Sequence, residues 1–480
     1  MLSLFGVLNM GGQSLSVQQE ATAIAGQNLA NVNNPAYADE QLVVQEATPL
    51  ETLTGEEGTG VDAVSITSMR DAFLDAQIAA EGSVTGSLTS QQSALQEAEA
   101  YLDEELSGTS NSSDSAASSS NGLTADLSNL FSSLQTLTTD PGNISDRQTV
   151  IQSAQQLTEQ FNQVSSGLNT VTSNLNSSIQ SGVTSANQDL SQIASLNQQI
   201  MEAQDSGGTA DQLADEREQI IENLSGYVNL TTSAQSDGAV NVSIGGVTMV
   251  SGDTALANLQ TYTNASGNLM VLARETTTGL EYGLTLSGGS IEGSITARDG
   301  TVATLQSSLN ALASQLIFSF NQVYSGGYDL NGNNLQTYFF TGSGAGSIGV
   351  NSTVVNDPRT FQAAAGPGDP GDNTVALALA NLADEPITNA TTGFNNQTLS
   401  QYYSQAVGTF GSSLQSVNEQ LANSTSVAQM LTTQRDSASG VDTDTEMTNL
   451  LQFQKAYEAS AELVTTVNEM LETLVTMKTE

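Results

Sequence analysis

Ser439-Gly440-Val441-Asp442-Thr443-Asp444-Thr445-Glu446 opens a run that then continues to Lys478 without another Gly and without Pro. The opening reads as a helix start. Asp442 or Thr443 can cap the free backbone N–H groups, and Asp444 and Glu446 place negative charge at the positive end of the helix dipole. Small or apolar residues then recur in alternating steps of three and four, through Met447, Leu450, Gln454, Tyr457, Ala461, Val464, Asn468, Leu471 and Val475. Phe453, Val467 and Leu474 widen that stripe on one side. The spacing predicts a long amphipathic helix of coiled-coil type. Such a helix at the end of a chain, where most chains fray, needs a partner. The first thirty residues offer one: Leu8, Leu15, Thr22 and Leu29 repeat at every seventh position, with Gly11, Gln18 and Ala25 between them. Periodicity alone favours an antiparallel pair of these two helices within one globule.

The composition excludes whole classes of function. The 480 residues carry 51 acids against 9 bases, a net charge of −42. That opposes binding to nucleic acid or to anionic membranes, both of which need Lys and Arg. There is no Cys, His or Trp. Disulfides, thiolate metal sites and histidine acid–base or metal chemistry are thereby removed, so no cofactor and no metal are expected. No stretch is apolar for long enough to span a bilayer, and Met1 to Gly12 lacks the basic residue of a secretory signal. Two explanations of the acidity stay open. An acidic medium would neutralise such a surface near pH 4 instead of making it cationic; a saline habitat is the rival. Best stability near neutral pH with collapse below pH 5 would count against the acidic version.

Taken in order, the chain reads as mainly α with a β-rich middle segment. Gln41 to Gln45 is a short extended run, and Gly60-Val61-Asp62-Ala63-Val64-Ser65-Ile66 alternates as a half-buried strand does. It leads into a helix from Arg70 to about Leu106 whose end is acidic: Glu97, Glu99, Asp103, Glu104 and Glu105. A solvated face is the reading preferred there over a Ca²⁺ site. Ser107 to Asn121 is a low-complexity linker. Leu123 to Thr138 is helical, and Asp140-Pro141-Gly142-Asn143 breaks it. A very long helix from Ile144 to about Gln204 follows. Its stripe runs Ala154, Leu157, Phe161, Val164, Leu168, Val171, Leu175, Ile179, then slips by one residue to Val183, Ala186, Leu190, Ile193 and Ile200. A second helix opens near Leu213, where Arg217 stands among acids and an ion pair is its expected role.

From Tyr227 to Ile295 the period changes to two. Strands are expected at Val240–Ile244, Val247–Val250, Leu269–Leu272 and Tyr282–Leu286; Gly288 to Ser294 is Gly-rich but is no phosphate loop, since it lacks the Lys and the spacing of a nucleotide motif. Thr301 to Tyr324 is helical again. Asp329-Leu330-Asn331-Gly332-Asn333 resembles a calcium loop but fails at its sixth and twelfth positions, so an Asn/Gly turn is the better reading. Gly342 to Gly371 is loop, and Leu399 to Arg435 is a further heptad helix. The organisation expected is a terminal coiled-coil unit (1–40 with 441–480), a helical rod with short strands (41–225 with 372–440), a β-rich segment (226–300), and a helix with a Gly/Pro-rich loop (301–371).

Several of these stretches resemble the flagellar axial proteins. Asn28-Leu29-Ala30-Asn31-Val32-Asn33-Asn34-Pro35-Ala36-Tyr37 is similar to the Asn-rich turn that closes their first helix. Ser439 to Glu446, followed by Phe453-Gln454, Tyr457, Ala459, Thr466 and Leu474, is similar to their C-terminal signature. The family usually has Gly where Ala36 stands and a basic residue soon after the tyrosine, where Ala38-Asp39-Glu40 follows here. Internal stretches resemble its hook-associated members: Arg70-Asp71-Ala72-Phe73-Leu74, Phe131 to Leu137 with Arg147-Gln148, Phe320 to Tyr324, and above all Gly371-Asp372-Asn373-Thr374-Val375-Ala376-Leu377-Ala378-Leu379. The resemblance covers almost the whole chain.

It implies a structural, non-enzymatic subunit of the flagellum that acts as an adaptor at the hook–filament junction. Implied partners are further copies of itself, hook protein, a second junction protein, and an export chaperone on the C-terminal helix. Export without a cleaved signal, to an extracellular position on the flagellum, is implied too. The outer domain that the family inserts between Phe340 and Gly371 has little room here. Candidate assembly residues are Leu8, Leu15, Leu29, Asn31, Tyr37, Met447, Leu450, Phe453, Tyr457, Val464, Val467, Leu471 and Leu474. The rival readings are another axial protein, hook or second junction protein, and a secreted acidic adhesin or surface-layer protein. A hydrolase using two carboxylates has no acid pair here that stands out from the solvated background.

Overall fold

Asn143 accepts the Ser145 N–H at 2.8 Å and starts a 62-residue helix, Ile144–Asp205, that runs unbroken for about 90 Å at the usual rise per residue. The computed structural model describes residues 4–34, 36–52, 55–102, 122–265 and 267–477. The Ser107–Asn121 linker and the acids Asp103, Glu104 and Glu105 lie outside them. The helices are α1 (Leu4–Asn31), α2 (Ala72–Leu102), α3 (Leu123–Thr139), α4 (Ile144–Asp205), α5 (Asp211–Tyr227), α6 (Gly289–Ala297), α7 (Ala303–Tyr324), α8 (Ser352–Asn356), α9 (Thr374–Asn381), α10 (Leu399–Ser439) and α11 (Thr443–Met477). The strands are β1 (Glu40–Glu46), β2 (Leu50–Thr52), β3 (Gly55–Glu57), β4 (Val61–Ser68), β5 (Leu230–Ala234), β6 (Val240–Ile244), β7 (Val247–Ser251), β8 (Thr254–Ala255), β9 (Ala257–Thr263), β10 (Leu269–Glu275) and β11 (Glu281–Gly283), with short pairs after α7 and α9. The fold is mainly α with a small β part, as its sequence predicts.

α4 serves two cores, and the one-residue slip in its stripe marks where one gives way to the other. Up to Leu175 its buried side chains join α2, α3, α7, α9 and α10; from Ile179 onward they join α5, α6 and two antiparallel sheets. The sheets run β5-β6-β7-β8 and β11-β10-β9. A helix that changes neighbours must rotate its apolar face, and a step of four where three is due does that. The first core takes in the segment expected as a separate unit at 301–371. Phe320, Phe339, Phe340 and Phe361 pack there with ring centroids 4.8–5.5 Å apart, in edge-on and tilted arrangements that aromatic quadrupoles favour. Arg147, buried here, donates to the Pro141 carbonyl at 2.7 Å and to the Phe361 carbonyl. Burial pushes its pKa down to about 10.

Two asparagines of α4 complete the hydrogen bonding of the sheets, Asn187 along the β9 edge and Asn197 at the end of the β6–β7 pair. Asn187 gives its amide to the Leu259 carbonyl and takes the Leu259 N–H, both at 2.8 Å, as a neighbouring strand would. Asn197 does the same for Val240 and also reaches the Gly252 carbonyl. Arg217 donates to the Asn197 side chain and to the Gly238 carbonyl, both at 2.8 Å. Among the described residues no carboxylate pairs with it, contrary to the expected ion pair; the acid two residues before it is taken by Arg70 instead. Gly288 to Ser294, Gly-rich in sequence, is helical from Gly289 onward. It forms the start of α6, and its glycines permit close approach: a Cβ on Gly293 would fall 2.2 Å from the Ser87 carbonyl of α2. At the Asp329 turn the carboxylate accepts the N–H groups of Asn331 and Asn333, which matches the turn reading.

Candidate functional site

Asp442 caps α11 by accepting the Asp444 N–H at 3.0 Å, and its other oxygen takes the Thr445 hydroxyl. From there α11 runs antiparallel along α1. Glu446 meets Asn28 at one end, Ser460 bonds Ser14 at 2.9 Å in the middle, and Val464 lies over Gly11. The pairing is within one chain.

The contact stripe keeps Gly11 and Ala25 of the heptad repeat but passes the leucines, running one residue before them. Gly11, Val17, Ala21, Ile24, Ala25 and Asn28 are the buried residues of α1, while Leu8, Leu15 and Leu29 lie half-buried on its flank. On α11, Glu446 and Val467 are buried, and Leu450, Phe453, Val464 and Leu471 are half-buried beside them. Met447, Tyr457 and Leu474 face outward at 56%, 42% and 53% exposure. Asn31 is half-buried and bonds back to the Gln27 carbonyl of its own helix. Tyr37 is buried. The physical reason lies with the small residues. A Cβ on Gly11 would sit 2.7 Å from Val464 Cγ2, so the two backbones approach at positions where a Leu could not enter. The larger side chains are pushed to the rim, and the outer faces of the pair keep an apolar surface that the chain itself does not cover.

Asn28, which the heptad count passes over, is the hub of the site. Its amide donates to Asp39 at 2.5 Å, to the Glu40 carbonyl at 2.9 Å and to Glu446 at 3.2 Å. Its carbonyl oxygen accepts the Tyr37 hydroxyl at 2.7 Å and the Glu40 N–H at 3.2 Å. One side chain thus binds the end of α1, the Asn-rich turn, the start of β1 and the first turn of α11. A polar residue on an otherwise small and apolar stripe was the available signal. Burial, with the nearby Glu40 second, holds the Tyr37 hydroxyl well above its ordinary range, and burial raises the Asp39 and Glu40 carboxyls.

The β1–β4 hairpin leans against this pair and leaves Val43, Val44 and Val64 exposed. A groove of about 400 Å³ lies between α1, the hairpin and α11, lined by Ala21, Ile24, Leu42, Val61 and Phe453 among others. Beside Tyr37, Arg70 donates to the Ala36 carbonyl at 2.6 Å and to Asp215 at 2.7 Å, while the Ala38 N–H reaches the other Asp215 oxygen. Among the described residues no group of His, Cys, Asp or Glu could hold a metal ion, and no helix is long and apolar enough to cross a membrane.

Comparison with known proteins agrees with this geometry. Residues 109–340 match the family described as flagellar hook-associated protein FlgK helical domain, and residues 432–477 match the flagellar basal body rod FlgEFG protein C-terminal family. Flagellar hook-associated protein 1 of Bacillus subtilis is 29% identical over 516 aligned residues, covering 99% of this chain and 98% of that protein. Its Escherichia coli counterpart is 23% identical, with 98% and 100% covered. The flagellar hook junction protein FlgK from Burkholderia pseudomallei shares the fold, with a TM-score of 0.64 at 15% identity over 75% of this chain and 100% of that one. With a matching helical domain, a matching C-terminal segment and relatives aligned from end to end, the chain is similar over its whole length to the hook-associated protein 1 of bacterial flagella.

Proposed function

We propose that the chain is a structural subunit of the bacterial flagellum and acts as the adaptor at the hook–filament junction. The observation that carries this reading is the α1–α11 pair. Its inner stripe is closed by small residues, and its outer faces keep Leu8, Leu15, Leu29, Met447, Tyr457 and Leu474 half or fully open. Such faces suit side-by-side packing against neighbouring copies, with hook protein on one side of the ring and a second junction protein on the other. The pair with the β1–β4 hairpin is the assembly part; the body built on α4 is the rigid outer part. An export chaperone would cover the open face of α11 before passage, without a cleaved signal, through the flagellar export channel.

The test replaces Met447, Met470 and Leu474 together by serine. All three are exposed, so the melting of the monomer should move by no more than about 0.5 kcal/mol per site. Incorporation onto isolated hook ends, read by electron microscopy, should fall sharply. Unchanged incorporation by a variant that melts normally would defeat the reading.

A further inference from the structure

The β1–β4 ribbon carries two open edges. Among the described residues its strands pair only with each other, so each keeps one edge of N–H and C=O groups without a strand beside it. The ribbon rests on α1. Elsewhere it is open: of β1 only Glu40 is buried, and no residue of β4 is. Val43, Val44 and Val64 face water. A ribbon of two strands is marginal by itself, and open edges in folded chains are blunted by Lys, Pro or a bulge. Neither strand contains Lys, Arg or Pro, and the bulge between Val43 and Val44 is the one irregularity in the ladder.

Next to β1 there is room for a further strand. The groove of about 400 Å³ is lined there by Gln41, Leu42 and Val44 of β1, Ile24 of α1 and Phe453 of α11. The charge of the chain limits what can enter it. Of the nine bases, Arg70, Arg147, Arg217, Arg298 and Arg435 bond inside the fold, and Lys455 bonds Glu458. Few are left to meet the acids of a neighbour, so two copies, each at −42, approach with least repulsion where acids are absent. Gln41 to Gln45 and Ala63 to Ser68 are such stretches. The ladder within the chain already shows that these two sequences fit: Gln41 lies opposite Thr67, Leu42 opposite Ile66 and Val43 opposite Ser65 in antiparallel register.

We propose that the open edge of β1 takes the open edge of β4 from a second copy of this chain, antiparallel, so that the ribbons of neighbouring copies join into one sheet. Main-chain hydrogen bonds then hold the copies together, as in other cases where a strand is added to a sheet edge. The added strand lies about 4.8 Å from β1, with the apolar groove to receive its side chains. Because the two edges are different, the contact is head-to-tail, and it closes into a ring where the rotation between copies permits. The inference rests on the reading of the chain as a subunit that packs against copies of itself, and it adds a backbone-paired contact to the helix faces named above.

The chain has no cysteine, so introduced ones report the contact without background. Gln41→Cys and Thr67→Cys, both at exposed positions, are made in separate full-length chains, mixed in equal amounts and oxidised, once in concentrated solution and once after addition to isolated hook ends. Keeping the two changes in different chains excludes a link within one molecule. The expected product, identified by mass spectrometry of the linked peptides, is a mixed dimer joined through 41 and 67, at least tenfold more abundant than either homodimer. Val64→Glu, added to the Thr67→Cys chain, puts a charge at an exposed place on β4; it should cut the mixed dimer at least tenfold and leave the melting temperature of the monomer unchanged. Homodimers in place of the mixed dimer, no mixed dimer in either setting, or an unchanged yield with Val64→Glu would each overturn the proposal. Capping of hook ends by the wild-type chain is scored separately: capping without the mixed dimer defeats this contact and leaves the adaptor reading standing, and the mixed dimer in solution without capping does the reverse.

Discussion

Replacing Asn28 by aspartate changes one donor group into an acceptor at the hub of the terminal pair, and the cost can be worked from its contacts. The oxygen that accepts from the Tyr37 hydroxyl and the Glu40 N–H is retained. The amide that donates to Asp39, the Glu40 carbonyl and Glu446 becomes a carboxylate facing two other carboxylates. Two hydrogen bonds to charged groups are lost, each worth about 1.5–3 kcal/mol. Repulsion from each ionised neighbour adds about 4 kcal/mol at ~4 Å and an effective dielectric constant of ~20. The new carboxyl escapes part of this by staying protonated, so its pKa in the folded chain rises above the unfolded value of about 3.9. The stability of this end of the pair is then nearly intact below pH ~4 and is lost as pH climbs through the raised value. Hydrogen–deuterium exchange of the last turn of α1 and the first two turns of α11, read as variant against wild type at each pH, should show it. Staying protonated costs about 1.4 kcal/mol for each of the ~4 pH units between the unfolded value and pH 8, so the pH-dependent loss is capped at ~6 kcal/mol, roughly a ten-thousandfold fall in protection. Equal protection at pH 8, or the same loss at pH 4 as at pH 8, would refute the assignment of Asn28 as the donor at the hub.

Three further substitutions probe the packing. Gly11→Leu puts a side chain where Val464 Cγ2 already lies; overpacking of this kind costs about 1–3 kcal/mol, and exchange along α1 and α11 should rise while the α4 core keeps its protection. Asn187→Ala leaves the Leu259 N–H and carbonyl at the β9 edge without a partner; a loss of about 1–3 kcal/mol in urea unfolding is expected, with a greater tendency to associate through the bared edge. Phe320→Ala empties the centre of the aromatic cluster and should cost about 3–5 kcal/mol in thermal unfolding.

The long helices were legible in the sequence because each is written in a local period, whereas α6 and α8, short and set in Gly-rich stretches, were not. The 62-residue helix, its slip after Ile179 and the helix after Asp442 follow from spacing alone, since a stripe of 3.5- or 3.6-residue period has one local solution. The absence of His and Cys fixed which chemistry is out of reach before any fold was known. What the tertiary structure decided is which face of each periodic helix meets which partner. The leucine repeat at Leu8, Leu15 and Leu29 invites a seam of leucines, yet the seam keeps Gly11 and Ala25 of that repeat and otherwise forms one residue before the leucine positions, on Ser14, Ala21 and Asn28, because two backbones can approach more closely where side chains are small, and how closely they approach is set by both helices together. Arg217 and Arg70 show the same division. Sequence neighbours suggested an ion pair between Arg217 and one of the acids around it; folding brings Arg70, 145 residues from Asp215, to that acid, and Arg217 turns to Asn197 and the Gly238 carbonyl. Charge pairing acts through space, and only the packed chain says which charges share it.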